Sequence, residues 1–110
     1  MTYPHQRAFY RVVYPIPARP RLMLGDQLFE VLDCSERGLR FRTHGDPPAT
    51  GNALDGLVRF RTGAEVRVSG EIIRIHEDEI AVRLGDPGIP LSVILDEQRF
   101  LRARYPLRTE

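Results

Sequence analysis

The stretch AEVRVSGEIIRIHEDEIAVRL, residues 64–84, reads as two strands joined by a polar turn. Val66, Val68 and Ile72 share one parity, and Ile80, Val82 and Leu84 alternate with Ala81 and Arg83. A period of two belongs to a strand with one buried face. Ile73 and Ile75 fall on the opposite parity. The spacing therefore predicts a bulge or bend between Gly70 and Ile73, the device barrels use at their corners. HEDE, residues 76–79, is the turn.

The same period extends upstream. Leu39, Phe41 and Thr43 alternate with Arg40 and Arg42, and Val58 and Phe60 alternate with Arg59 and Arg61. RLML (21–24) and QLFEVLD (27–33) flank GD, a tight-turn signal. YRVVYP (10–15) is extended, and PIPARP (15–20) carries three prolines that favour a connector over a helix. DCSERG (33–38) reads as a turn, HGDPPATGNALDG (44–56) as a loop, and GDPGIP (85–90) as a breaker cluster. Downstream, Ile94, Leu95, Gln98, Leu101 and Arg102 fall at helical spacings. They predict a helix over about 93–105 whose apolar stripe covers an open end of the barrel; Val93 to Leu95 could instead extend a strand. The expected fold is mainly β: a small six-stranded antiparallel β-barrel with a short C-terminal helix, closed so that no edge is left bare. Its 110 residues suffice for one domain. Residues 12–110 form the barrel unit, and residues 1–11 are expected to be a flexible N-terminal segment.

Composition narrows the function. All 16 basic residues are arginine and the net charge is +1. Residues 1–44 hold seven arginines against four acids, and residues 45–110 hold nine against eleven. The excess favours the N-terminal part but falls far short of a general nucleic-acid footprint. The single cysteine, Cys34, excludes an internal disulfide and reads as a buried or incidental thiol. His5, His44 and His76 are scattered without ligand spacing, and three acids in one hairpin turn, 77–79, point in different directions. No glycine-rich phosphate loop with its lysine is present. These observations predict no catalysis, no metal and no cofactor. No apolar run approaches the roughly 20 residues that cross a bilayer, and nothing resembles a secretory signal, so a soluble cytoplasmic protein is expected.

Binding has more to stand on. Arg7 and Arg11 lie four residues apart around Phe9 and Tyr10; they could converge on one anion or face water at a chain end. Asp33 and Ser35 have short side chains that stabilise turns, and Gly38 offers a backbone position closed to a side chain. R-x-x-x-R followed by D-x-S-x-x-G, at the entrance of a small barrel, resembles the PilZ domain family of bacterial cyclic di-GMP receptors. Arg7 and Arg11 fill the first motif; Asp33, Ser35 and Gly38 fill the second. The resemblance spans essentially the whole chain, since PilZ domains are six-stranded barrels often closed by a C-terminal helix.

The resemblance implies a ligand, cyclic di-GMP, and roles for each motif residue. Arg7 and Arg11 would clamp phosphates and present their guanidinium planes to guanine. Asp33 would accept from the guanine N1 and N2 donors with both carboxylate oxygens. Ser35 would add a hydrogen bond, and Gly38 would keep the turn tight enough for the ligand to approach. Arg40 is a secondary candidate. So is Gln6, which stands where many members carry a further arginine and implies lower affinity or a different stoichiometry. A protein partner in a bacterial signalling pathway is implied as well, with no large nucleic acid and no membrane insertion. Monomer and weak dimer both remain open. Two competing readings are a degenerate PilZ-like interaction module and a small-barrel binder of single-stranded nucleic acid; acids interleaved among the arginines speak against the second.

Overall fold

Alternating side chains need two different environments, and the strands supply them by closing into a ring in the computed structural model, which describes residues 10–45 and 49–105. The strands are β1 (Val12–Val13), β2 (Arg21–Leu24), β3 (Gln27–Cys34), β4 (Gly38–Arg42), β5 (Ala53–Arg59), β6 (Glu65–His76) and β7 (Glu79–Leu84). They are followed by helix α1 (Leu91–Arg104). The hydrogen-bonded order β3-β2-β5-β6-β7-β4 returns to β3, so six antiparallel strands close the barrel. The short β1 pairs with β3 beyond β2, Val12 opposite Cys34 and Val13 opposite Asp33. Thus β1, a single 3-10 turn at Ile16–Ala18 and β2 make one interrupted stave, which is how the proline-rich connector is accommodated.

The interior is filled by the parity the sequence displays. Leu39, Phe41 and Thr43 are buried, as are Val58 and Phe60, and Ile80, Val82 and Leu84. Between β6 and β7 the register slips from Ile72↔Val82 to Arg74↔Ala81. Ile73 is the extra residue of the expected bulge, and it is turned outward. Gly70 lies where β7 crosses so closely that a Cβ would meet the Arg83 carbonyl at 2.1 Å. The GD turn also holds: Gly25, at φ 63°, occupies the left-handed region that favours glycine.

Several boundaries differ from the sequence reading. Strand β5 begins at Ala53, because residues 53–56, read as loop, pair with β6 from Glu71 to Val68. Asp33 and Gly38 are strand residues rather than turn residues; only Ser35, Glu36 and Arg37 connect β3 to β4. A second bulge sits between Val31 and Asp33, against Phe41 and Arg40 of β4. Phe29 and Val31 point into the core before it, and Cys34 does so after it. Leu32 is the extra residue, and because the bulge absorbs it Asp33 falls on the outer face.

Helix α1 starts at Leu91, two residues before the expected bound, and its buried stripe is rotated. Ile94 and Glu97 are the buried residues, whereas Leu95 remains 38% exposed. The reason is polar. The Tyr14 hydroxyl donates to Glu97 Oε1 at 2.7 Å, and Thr62 Oγ1 donates to Oε2 at 2.9 Å. Glu97 thereby fastens the helix to the end of β1 and to the β5–β6 turn. Burial, opposed by these hydrogen bonds, pushes the Glu97 carboxyl above its usual range. Burial likewise lifts the neighbouring Cys34 thiol to about 12, so it stays protonated at neutral pH.

Candidate functional site

Strands β3, β4, β6 and β7 converge on one open groove of about 660 Å³. Arg11 reaches it from the residue preceding β1, Asp33 from the bulged end of β3, Ser35 from the connecting turn, and Gly38 and Arg40 from β4. Residues from both motifs and the secondary candidate Arg40 are therefore brought together. Gln6 and Arg7, with the remainder of segment 1–9, lie outside the described residues.

Asp33 is the hub. It is 2% exposed, yet it lies between two guanidinium groups. Arg11 Nη1 donates to Oδ1 at 2.5 Å. Arg40 donates to Oδ2 twice, from Nε at 2.8 Å and from Nη2 at 2.6 Å. The third Arg40 donor, Nη1, bonds to Glu79 Oε1 on β7. Register explains the arrangement: Arg40 lies opposite Asp33 on one side and Ala81 on the other, within diagonal reach of Glu79. The hydrogen bonds to Asp33 are the main cause holding the Arg40 guanidinium above its ordinary value. A carboxylate this buried needs such partners.

The turn beside it is tied by the Ser35 N–H, which donates to the Gly38 carbonyl at 2.8 Å. Gly38 departs from the expectation in its reason. A Cβ there would meet Ser35 Oγ at 3.5 Å, Arg11 Nη2 at 3.6 Å and the Val82 carbonyl at 3.8 Å, ordinary contacts all. The chain itself would accept a side chain. What the glycine keeps open is the space between Ser35 and Arg11, at the mouth of the groove.

The opposite wall escaped the sequence reading. Ile73, Arg74 and Arg83 line it, and Arg37 lines the turn side. Arg83 stands directly opposite Gly38 in the β4–β7 register. Alternation marked Arg83 as outward-facing, but only closure of the barrel shows that it and Arg74 share a groove with Asp33. Ile73 arrives there through the bulge. Among the described residues the lining then holds five arginines, 11, 37, 40, 74 and 83, against one acid, Asp33. In a chain of net charge +1 this is a local concentration of positive charge suited to a small anion.

Residues 5–99 match the PilZ domain. This chain belongs to the PilZ domain family. No curated protein matches the sequence. Among solved structures, the fold is similar to the PilZ domain of YcgR from Escherichia coli with cyclic di-GMP. That likeness has a TM-score of 0.70 and 15% identity, and covers 91% of this chain and 97% of that one. An uncharacterized Legionella protein is similar at TM-score 0.63 and 14% identity, over 86% of this chain and 97% of the other. The Bacillus subtilis inhibitor of motility MotI/DgrA follows at 0.65 and 11%, over 96% of this chain and 54% of that one. At such identities the structural likeness speaks for the fold, and the family rests on the sequence match. No helix among the described residues is long and apolar enough to cross a membrane.

Proposed function

We propose that this protein is a non-catalytic receptor for cyclic di-GMP, held in the groove between Arg11 and the β3–β4 motif. The observation that carries this reading is the meeting of Arg11, Asp33, Ser35 and Gly38 around one arginine-lined groove, in a chain of the PilZ family. Cyclic di-GMP has two phosphates for guanidinium clamps and guanine edges rich in N–H donors for a carboxylate. Arg7 joins Arg11 as the second clamp in this reading, with residues 1–11 closing over the ligand. The ordered segment then presents a changed surface to a protein partner in the bacterial cytoplasm.

Calorimetric titration with cyclic di-GMP, cyclic di-AMP and a short single-stranded oligonucleotide tests it. Saturable binding of cyclic di-GMP, with weaker binding of the adenine compound, is expected. Equal, steeply salt-dependent binding of all three would replace this reading with general nucleic-acid binding. Absence of binding would leave a family member that has lost its ligand.

A further inference from the structure

The two oxygens of Asp33 are not equivalent. A carboxylate offers about four lone-pair sites, two on each oxygen. Oδ2 accepts two bonds from Arg40, at 2.8 and 2.6 Å, and is full. Oδ1 accepts one bond from Arg11. The two arginines differ as well. Arg40 is held between carboxylates on either side, Asp33 of β3 and Glu79 of β7. Arg11, near the start of the described chain, has a half-exposed side chain, and its one ion pair among the described residues is with Asp33. Glu79 itself does not line the groove.

We infer that Glu79 and Arg40 are positioning residues for the nucleotide site, together dedicating Oδ2 so that Asp33 meets the ligand through Oδ1 alone. The inference rests on the cyclic di-GMP reading above. Ligand phosphates compete with Oδ1 for Arg11. Stripping a buried carboxylate of its cation carries a heavy desolvation penalty. With Arg40 fixed by Glu79, the release of Arg11 never leaves Asp33 without one. Guanine then replaces Arg11 at Oδ1: its N1–H and N2–H, on two nitrogens bonded to one carbon, form the same fork that Nε and Nη2 of Arg40 present to Oδ2. Adenine has no such fork. Glu79, 39 residues from Arg40 in the chain, thus acts on base selectivity from outside the groove.

The test measures affinity for cyclic di-GMP and cyclic di-AMP, with thermal melting, in the wild type and in Glu79→Ala, Glu79→Gln, Arg40→Gln and Arg40→Lys. Glu79→Ala is expected to weaken cyclic di-GMP binding about 3- to 10-fold and to narrow the preference over cyclic di-AMP. Glu79→Gln, which keeps an oxygen acceptor for Nη1, recovers most of both. Arg40→Gln loses more than Glu79→Ala. Arg40→Lys restores affinity in part but not selectivity, because an ammonium cannot fill both sites of Oδ2. Arg42→Gln breaks the longer pair of Glu79, at 3.5 Å, and leaves binding unchanged. Unchanged affinity and selectivity in Glu79→Ala overturn the inference and leave the receptor reading intact, whatever Arg40→Gln does. An equal loss toward both dinucleotides also overturns it, since a merely structural defect behaves so. No binding by the wild type overturns the receptor reading and the inference with it.

Discussion

Asp33 and Glu97 are both carboxyl groups removed from solvent, 2% and 0% exposed, yet their surroundings oppose each other. Asp33 lies on the outer face of the wall between two guanidinium groups. Glu97 lies inside, bonded to the hydroxyls of Tyr14 and Thr62. The two surroundings adjoin: Cys34 follows Asp33 and its Sγ stands 3.7 Å from the Tyr14 hydroxyl, while Tyr14 comes three residues after Arg11. One barrel wall therefore has an ion-paired side and a hydroxyl-bonded side. Full charges with a partner that can leave suit the capture of an anion; hydroxyl bonds to a buried acid suit the docking of a helix.

The sharpest way to break this division is Arg11→Ala. Cyclic di-GMP affinity should fall about 100-fold, or about 2.7 kcal/mol, by loss of a charge-assisted clamp. The melting temperature should hardly move, because Asp33 keeps Arg40. A large drop in melting temperature, by calorimetric scan, would make Arg11 structural and erase the contrast. Tyr14→Phe should give the reverse pattern. It leaves Glu97 Oε1 without its donor, at a cost of about 1–3 kcal/mol in stability, while the folded protein binds the dinucleotide as before. Weakened affinity in Tyr14→Phe under conditions where it is fully folded would show that the two faces are coupled.

The smallest effect is a pH dependence. Burial raises the Glu97 carboxyl above its value in the unfolded chain. A group so shifted contributes fully below its unfolded value, and that contribution is lost as pH rises through the folded one. Glu97→Gln does not titrate, so its melting temperature should gain on the wild type as pH is raised from the acid range toward neutrality. A difference that stays constant with pH would mean that Glu97 carries its charge into the core at no cost.

How much of this was legible in the sequence depends on the range of the interactions. Strands β6 and β7 were plain, including the bulge at Ile73, because alternation and its slip are local properties of the chain. The motif residues were legible by order and type, and closure of the barrel gathers those that are described. The bulge at Leu32 was not, because Val31, Leu32 and Cys34 are all apolar and offer no parity to slip. Nor was the burial of Glu97, whose partners lie 83 and 35 residues away. Arg83 read as an outward strand charge and Glu79 as a turn acid; that Arg83 shares a groove with Asp33 and that Glu79 reaches Arg40 follow from which strands become neighbours on closure.

The residue inserted at Leu32 sets more than a local kink. In a strand every position behind an insertion exchanges faces with respect to those ahead of it. Pairing Leu32 into the ladder instead of bulging it out would therefore send the acid into the hydrophobic interior and the thiol of Cys34 out into the groove, with no letter of the sequence altered. The recognition motif works only in that reading frame of the strand, and a close relative that keeps every motif letter but pairs this residue into the ladder would carry the signature without the site.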